Sequence, residues 1–187
     1  TIFGPMAEPH VSSDGTGHVF GAPTGEWMGI TVFKNGSLAR ERVRDRFGYD
    51  WAAFSRALEA SPPGNGGALL LPWFEPEITP HVPAGGAVAI DLREDDGPGY
   101  VRAVIEGQML AMARHSQWMG VDVRVIRAMG GASANRAILQ VMADVFQAEV
   151  RTGAVTQAAA LGSALRAWHA DRKAEGLQLT ATARENI

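Results

Sequence analysis

A pair of adjacent glycines, Gly130 and Gly131, separates an apolar segment from an apolar helix in the stretch IRAMGGASANRAILQVMADVF, residues 126–146. The residues before the pair have the pattern of a strand, and a helix is predicted to begin near Ser133. The first turn of a helix carries free N–H groups and a partial positive charge, and glycine allows a ligand to approach the backbone closely. Such a corner can hold a phosphate or lie under a nucleotide base, and Asn135 in the first turn could bond a purine edge or a ribose hydroxyl.

The same residues also fit a purely structural turn, in which the glycines form the corner and Ser133 is an ordinary N-cap. Two well-known nucleotide motifs are absent. The stretch lacks the GxGxxG spacing of dinucleotide-binding folds, and no Lys-Ser or Lys-Thr pair follows the glycines as in a Walker A loop. The pattern alone therefore favours the structural turn.

The composition excludes other kinds of site. Seventeen basic and 20 acidic residues give a net charge of -3, which provides no argument for binding nucleic acid or an anionic membrane surface. There is no cysteine, so disulfides and thiolate metal sites are excluded. The five histidines are scattered without metal-ligand spacing, so no metal site is predicted. No apolar run approaches the roughly 20 residues of a membrane-spanning helix, and we expect a cytoplasmic protein.

The elements that must position the glycine pair alternate between helix and strand. The periodicity predicts a helix over 100–120, a strand over 121–131, a helix over 133–146, a strand over 148–152 and a helix over 156–176. This order implies an α/β fold with helices packed on a sheet.

The first half of the chain is predicted to contain antiparallel strands and two short helices. Apolar runs cut by turn residues indicate hairpins up to residue 33, and strands are expected within 68–74 and 87–92. The first helix is expected to bury Leu38, Val43 and Phe47 and to end at Gly48. Asp50 should cap the second helix. The apolar face of that second helix is expected to comprise Trp51, Phe54 and Leu58.

Several other side chains have structural interpretations. Arg102 and Glu106 are expected to form an ion pair one turn apart on the long helix. His115 lies on the face of this helix that is predicted to be buried. Three tryptophans are assigned to the core or to an interface: Trp73, Trp118 and Trp168.

Segments across most of the chain resemble the C-terminal domain of the FGGY family of carbohydrate kinases. These segments are FKNGSLARE, PPGNGG, EITP, VRAVIEGQMLAM and GGASANR, followed by an AALGSALRA helix, and their order is most similar to xylulokinases. The resemblance implies an actin-like ATPase (ribonuclease H-like) fold with a mixed sheet flanked by helices. It also implies that residues 1–187 are one domain, comprising most of the C-terminal kinase domain, and that the N-terminal sugar-binding domain lies outside this chain.

The resemblance assigns roles to five residues. Gly130 and Gly131 match glycines that approach the nucleotide, and Asn135 matches an asparagine near the adenine. Gly36 matches a glycine at a helix N-terminus lining the same pocket, although a turn glycine is the alternative. Trp51 falls where relatives place an aromatic ring against the base, and the alternative is a core position.

Two positions depart from the family pattern. Arg40 stands where some relatives have glutamine. Ile78, in the loop that contains Glu75 and Glu77, stands where many members have arginine, so no sugar contact is assigned to that loop.

The function implied by the resemblance is ATP-dependent phosphorylation of a ketopentose such as D-xylulose, with Mg²⁺ arriving on the nucleotide. The catalytic base would lie in the N-terminal domain, so no catalytic residue or metal ligand is assigned here, and this fragment alone is expected to be inactive. Expected partners are ATP, the sugar, the N-terminal domain and a second copy in a homodimer. The alternatives are a kinase of ribulose, gluconate, glycerol or erythritol, or a non-catalytic nucleotide-binding module.

Overall fold

The longest helix, α3 (Gly97–Ser116), is at the centre of the packing in the computed structural model, which describes residues 1–22, 25–153 and 158–174. The helix begins where the Asp96 carboxylate accepts a hydrogen bond from the Gly99 N–H at 2.8 Å, beside Pro98 in the first turn. Every residue of 99–109 is buried. The sequence predicts one buried face, whereas this stretch is enclosed on all sides.

The elements around α3 come from the whole described chain. Their bounds are β1 (Ile2–Met6), β2 (Gly17–Gly21), β3 (Trp27–Thr31), α1 (Ser37–Arg46), α2 (Trp51–Ala60), β4 (Leu69–Leu71), β5 (Val88–Ile90), β6 (Val125–Ala128), α4 (Arg136–Phe146), β7 (Glu149–Thr152) and α5 (Ala158–Ala174). Helices α1, α2 and α4 and strand β4 all pack against α3.

The strands form three separate sheets. Strands β1, β3 and β2 form an antiparallel sheet in that order, with Ile2 opposite Thr31. Strands β4 and β5 are antiparallel, and β6 and β7 are parallel with Val125 opposite Glu149. This confirms the antiparallel N-terminal portion and the mixed strand directions predicted from the sequence.

The core consists mainly of one face of each helix around α3. Phe54, Leu58 and Val43 are buried as predicted, whereas His115, on the α3 face that was predicted to be buried, is only half-buried. The prediction for Leu38 is wrong, because its side chain is 62% exposed and Ala39 is buried instead. Positions 39 and 43 lie one turn apart and face α3, and this direction is set by tertiary packing.

Local signals at the helix ends are confirmed. The Asp50 carboxylate accepts from the Ala53 N–H at 2.6 Å and caps α2. Gly48 has a φ of 63°, which favours glycine, and its N–H donates to the Asp45 carbonyl at 3.1 Å after α1.

The other structural side chains follow the sequence in part. Arg102 and Glu106 form the predicted ion pair at 3.5 Å. Trp118 is half-buried, and its indole N–H donates to the Thr31 hydroxyl at 2.9 Å. Trp168 on α5 is 45% exposed and is not a core residue. Among the described helices, none has the length and apolar character needed to cross a membrane.

Helix α3 packs so tightly on β4 at Gly107 that a Cβ there would overlap the Leu70 carbonyl oxygen. We expect Gly107→Ala to lower the free energy of unfolding by about 1–3 kcal/mol, because backbone must move to accept the methyl group. Urea denaturation measures this change.

A matched control is Gly162→Ala in α5, where a Cβ would meet nothing within 4 Å. This substitution should be neutral or stabilising by up to about 1 kcal/mol, since alanine favours helix. Equal effects at the two positions would contradict the packing of α3 on β4.

Candidate functional site

A groove of about 850 Å³ opens along one side of the molecule. Its walls come from β1, β6, α3, α4 and the turn that precedes α1. Representative lining residues are Phe3, Gly36, Met112, Ile126, Ser133 and Met142. The groove therefore connects the glycine loop after β6 with the turn before α1.

The glycine loop, residues 130–135, is a short helical turn between β6 and α4. Gly130 has a φ of 86°, a backbone conformation that side chains rarely adopt, so glycine is required there. A Cβ at Gly130 or at Gly131 would meet nothing within 4 Å, so the space beside both is open. Two residues of the loop, Ala132 and Ser133, line the groove.

The predicted N-cap at Ser133 is wrong. Helix α4 begins at Arg136, and its cap is Asn135, whose side-chain oxygen accepts from the Ile138 N–H at 3.2 Å. The Ser133 hydroxyl instead donates to the Gly130 carbonyl at 2.7 Å, within the short turn of residues 131–134. This hydrogen bond therefore lies within the glycine loop, and α4 begins after the loop, at Arg136.

Asn135 also joins α4 to α2. Its side-chain amide donates to the Ser55 hydroxyl at 2.7 Å, and that hydroxyl donates to the Trp51 carbonyl at 2.9 Å. The structure thus brings the helix that begins with Trp51 next to the glycine loop, although the two are about 80 residues apart in the chain.

Trp51 is 44% exposed, so it is not the core residue of the alternative interpretation. The Arg44 guanidinium lies 4.6 Å from the centre of the indole ring, and Phe54 meets the ring edge-on. Trp51 is not among the described residues that line the groove. The indole therefore lies on the α2 surface outside the groove, while Gly36 lies in the groove itself.

Gly36 is the N-cap of α1, where no side chain caps the helix. A Cβ at this position would meet nothing within 4 Å, so the helix start faces open space. Its carbonyl oxygen accepts from the Ala39 N–H and from the side-chain amide of Gln108.

Arg40, one turn further along α1, is half-buried and lines the groove. Burial lowers the pKa of its guanidinium, and the charge of Glu41 acts weakly in the opposite direction. No described residue forms a hydrogen bond or close ion pair with this guanidinium. A half-buried cation of this kind favours a negatively charged ligand.

Glu77 was not assigned a role from the sequence. It is 6% exposed and accepts hydrogen bonds from the backbone N–H groups of Lys34 and Asn35. Burial raises the pKa of its carboxyl, but hydrogen bonds from Lys34, Asn35 and Ile78 outweigh this and leave the pKa below its usual value. The free N–H groups of a turn before an uncapped helix need hydrogen-bond acceptors. Glu77 lies more than 40 residues away from this turn in the chain, so no local sequence pattern identifies it as the acceptor.

Curated relatives of the chain are xylulose kinases. The chain is 40% identical to the xylulose kinase of Mus musculus over 162 residues, which are 82% of this chain and 29% of that protein. It is 36% identical to xylulose kinase 2 of Arabidopsis thaliana over 189 residues, covering 90% of this chain and 34% of that protein. The chain therefore spans about a third of the length of these relatives.

Solved structures of sugar kinases share the fold. A ligand-bound xylulose kinase from Lactobacillus acidophilus matches with a TM-score of 0.80 at 19% identity, covering 95% of this chain and 37% of the other. A gluconate kinase from the same organism matches with a TM-score of 0.79 at 20% identity and the same coverage. The expected actin-like ATPase fold is confirmed.

The family model for the C-terminal domain of FGGY carbohydrate kinases matches residues 3–170. Because this match covers most of the chain and agrees with the relatives and the fold, the chain belongs to the FGGY family of carbohydrate kinases.

Proposed function

We propose that the longer protein is an ATP-dependent sugar kinase whose substrate is a ketopentose, with D-xylulose as the first candidate. The observation that carries the proposal is the 36–40% identity to xylulose kinases over 82–90% of the chain. The fold does not distinguish between sugars, since the gluconate kinase matches as well as the xylulose kinase.

The described residues would form the nucleotide side of the active site. We assign the adenosine and the α-phosphate to the open glycine loop (Gly130, Gly131 and Asn135), to the start of α1 at Gly36 and to the indole of Trp51. Arg40 supports this assignment because its guanidinium lines the same groove and forms no hydrogen bond or close ion pair with a described residue.

The sugar side of the reaction would depend on the remainder of the protein. We place there the base that takes a proton from the sugar hydroxyl, whose oxygen then attacks the γ-phosphate of ATP. Mg²⁺ would travel with the phosphates of the nucleotide and neutralise their charge. The residues of this chain would contribute by orienting the nucleotide.

We also propose that the part of the protein outside this chain packs against the groove. Within the described part of the chain, β1 pairs only with β3 and β6 only with β7, so each has an open edge. Residues of both strands line the groove. Since the relatives are about three times as long as this chain, a further segment has ample length to cover these edges. The cytoplasmic location and the homodimer stay predictions.

A kinase screen of the full-length protein tests the proposed function. With ATP and a panel of pentuloses, gluconate and polyols, kcat/KM should be highest for D-xylulose. The formation of ADP without sugar present is the control for background hydrolysis. If none of the sugars is phosphorylated, the kinase proposal is contradicted. A preference for gluconate would contradict only the assignment of D-xylulose as the substrate.

Substitutions at the proposed adenosine site should change KM for ATP much more than KM for the sugar. In the full-length enzyme, Trp51→Ala should raise KM for ATP about tenfold, since base–aromatic stacking contributes about 1–3 kcal/mol. Asn135→Ala should act in the same direction and also destabilise α4 by about 1 kcal/mol through loss of its cap. KM for the sugar should change less than twofold in both variants.

Trp168→Ala is the matched control, because Trp168 is exposed to the same extent as Trp51 (45% against 44%) and also lies beside an arginine. It should leave KM for ATP unchanged. Equal changes in both KM values for the Trp51 variant would argue against the adenosine site.

A further inference from the structure

The turn before α1, residues 34–36, is held from two sides by buried side chains of distant elements. On one side the N–H groups of Lys34 and Asn35 donate to the Glu77 carboxylate at 2.6 and 3.0 Å. On the other side the Gln108 side-chain amide donates to the carbonyl oxygens of Asn35 and Gly36 at 2.8 and 2.7 Å. We call this pair, Glu77 and Gln108, the turn clamp.

Both oxygens of Glu77 are in use. One accepts from the N–H groups of Lys34 and Ile78, the latter at 2.7 Å, and the other accepts from the backbone and side-chain N–H groups of Asn35 at 3.0 and 2.9 Å. Glu77 is itself fixed, because its own N–H and carbonyl pair with Val82 across the loop.

The four donors explain why a carboxylate is needed at this position. An ionised carboxylate presents acceptors on both oxygens, whereas a glutamine would direct its NH₂ group at two N–H groups whichever way its amide is turned. A buried donor left without an acceptor is destabilising. The lowered pKa of Glu77 agrees with a carboxylate that stays ionised at neutral pH.

The turn clamp and the glycine loop both contribute residues to the lining of the groove. Glu77, Gln108 and Gly36 line the same groove as Ala132 and Ser133. Gln108 lies on the buried α3 and is 6% exposed, so one side of the clamp is anchored in the core. The position of the α1 start relative to the glycine loop therefore depends on these two side chains.

We propose that the turn clamp positions the start of α1 for ATP, so that Glu77 and Gln108 are positioning residues for nucleotide binding that touch no substrate themselves. This inference rests on the proposed kinase function. It predicts that loosening the clamp weakens binding of ATP and leaves the sugar side unaffected.

The test compares Glu77→Gln with Glu75→Gln in the full-length enzyme. Glu75 lies on the same loop, but its carboxylate is exposed and pairs with Arg42 at 2.7 Å, while its bonds to Asn35 involve only the Glu75 backbone. Glu77→Gln should raise KM for ATP at least fivefold and change KM for D-xylulose less than twofold. Glu75→Gln should leave both values within twofold of the wild type.

Gln108→Met provides a second variant of similar volume, in case Glu77→Gln does not fold. It removes the two bonds to the turn carbonyls and should also raise KM for ATP selectively. Circular dichroism at the assay temperature verifies that each variant is folded.

The outcomes separate the two proposals. If the wild type phosphorylates a sugar but the folded clamp variants behave like Glu75→Gln, or raise both KM values equally, the clamp proposal is overturned while the kinase proposal stands. If the wild type phosphorylates no sugar but binds ATP with an affinity that Glu77→Gln selectively weakens, the clamp stands and the kinase proposal fails.

Discussion

The enclosure of α3 on all sides is the constraint on which the rest of the structure depends. A helix buried over eleven consecutive residues needs partners inside the protein for its polar side chains, and among the described residues only the Nε of Arg102 on this stretch is left without one. Arg102 donates to the carbonyl oxygens of Leu58, in the last turn of α2, and of Ser61, which follows α2. Glu106 accepts a hydrogen bond from the N–H of Gly64, in the loop between α2 and β4. Helix α3 therefore organises the connections around it as well as the apolar core.

The candidate site is an extension of the same arrangement. Gln108 follows Gly107, which packs closely against β4. Its side-chain amide bonds to the turn before α1 and so fixes that turn to α3. Asn135 performs the corresponding task for the glycine loop, because one side chain caps α4 and bonds to α2. The two parts of the groove that we assign to the nucleotide are thus fixed to one scaffold. The space beside Gly36, Gly130 and Gly131 remains open.

Local signals in the sequence predict local structure well. Asp50 and Gly48 mark helix ends through chemistry confined to one turn, and both predictions are confirmed. Ser133 was a plausible cap by the same rule, but a competing bond to Gly130 and the better-placed Asn135 moved the start of α4. Leu38 was misassigned because spacing alone does not say which face of α1 meets α3.

The candidate site could be proposed from the sequence where its residues form a contiguous motif. The glycine loop and the FKNGS turn were two of the segments that indicated the family, and the family assignment is confirmed. Glu77 and Gln108 could not be found in this way, because their roles appear only when the chain brings residues 34–36 next to positions some 40 and 70 residues away. The link between Ser55 and Asn135 was hidden for the same reason.

The most direct test of the central claim is a crystal structure of the full-length protein with a non-hydrolysable ATP analogue. The adenosine is predicted to lie within about 4 Å of the glycine loop, with the α-phosphate between that loop and the start of α1. An analogue bound away from both the loop and Gly36 would contradict the account.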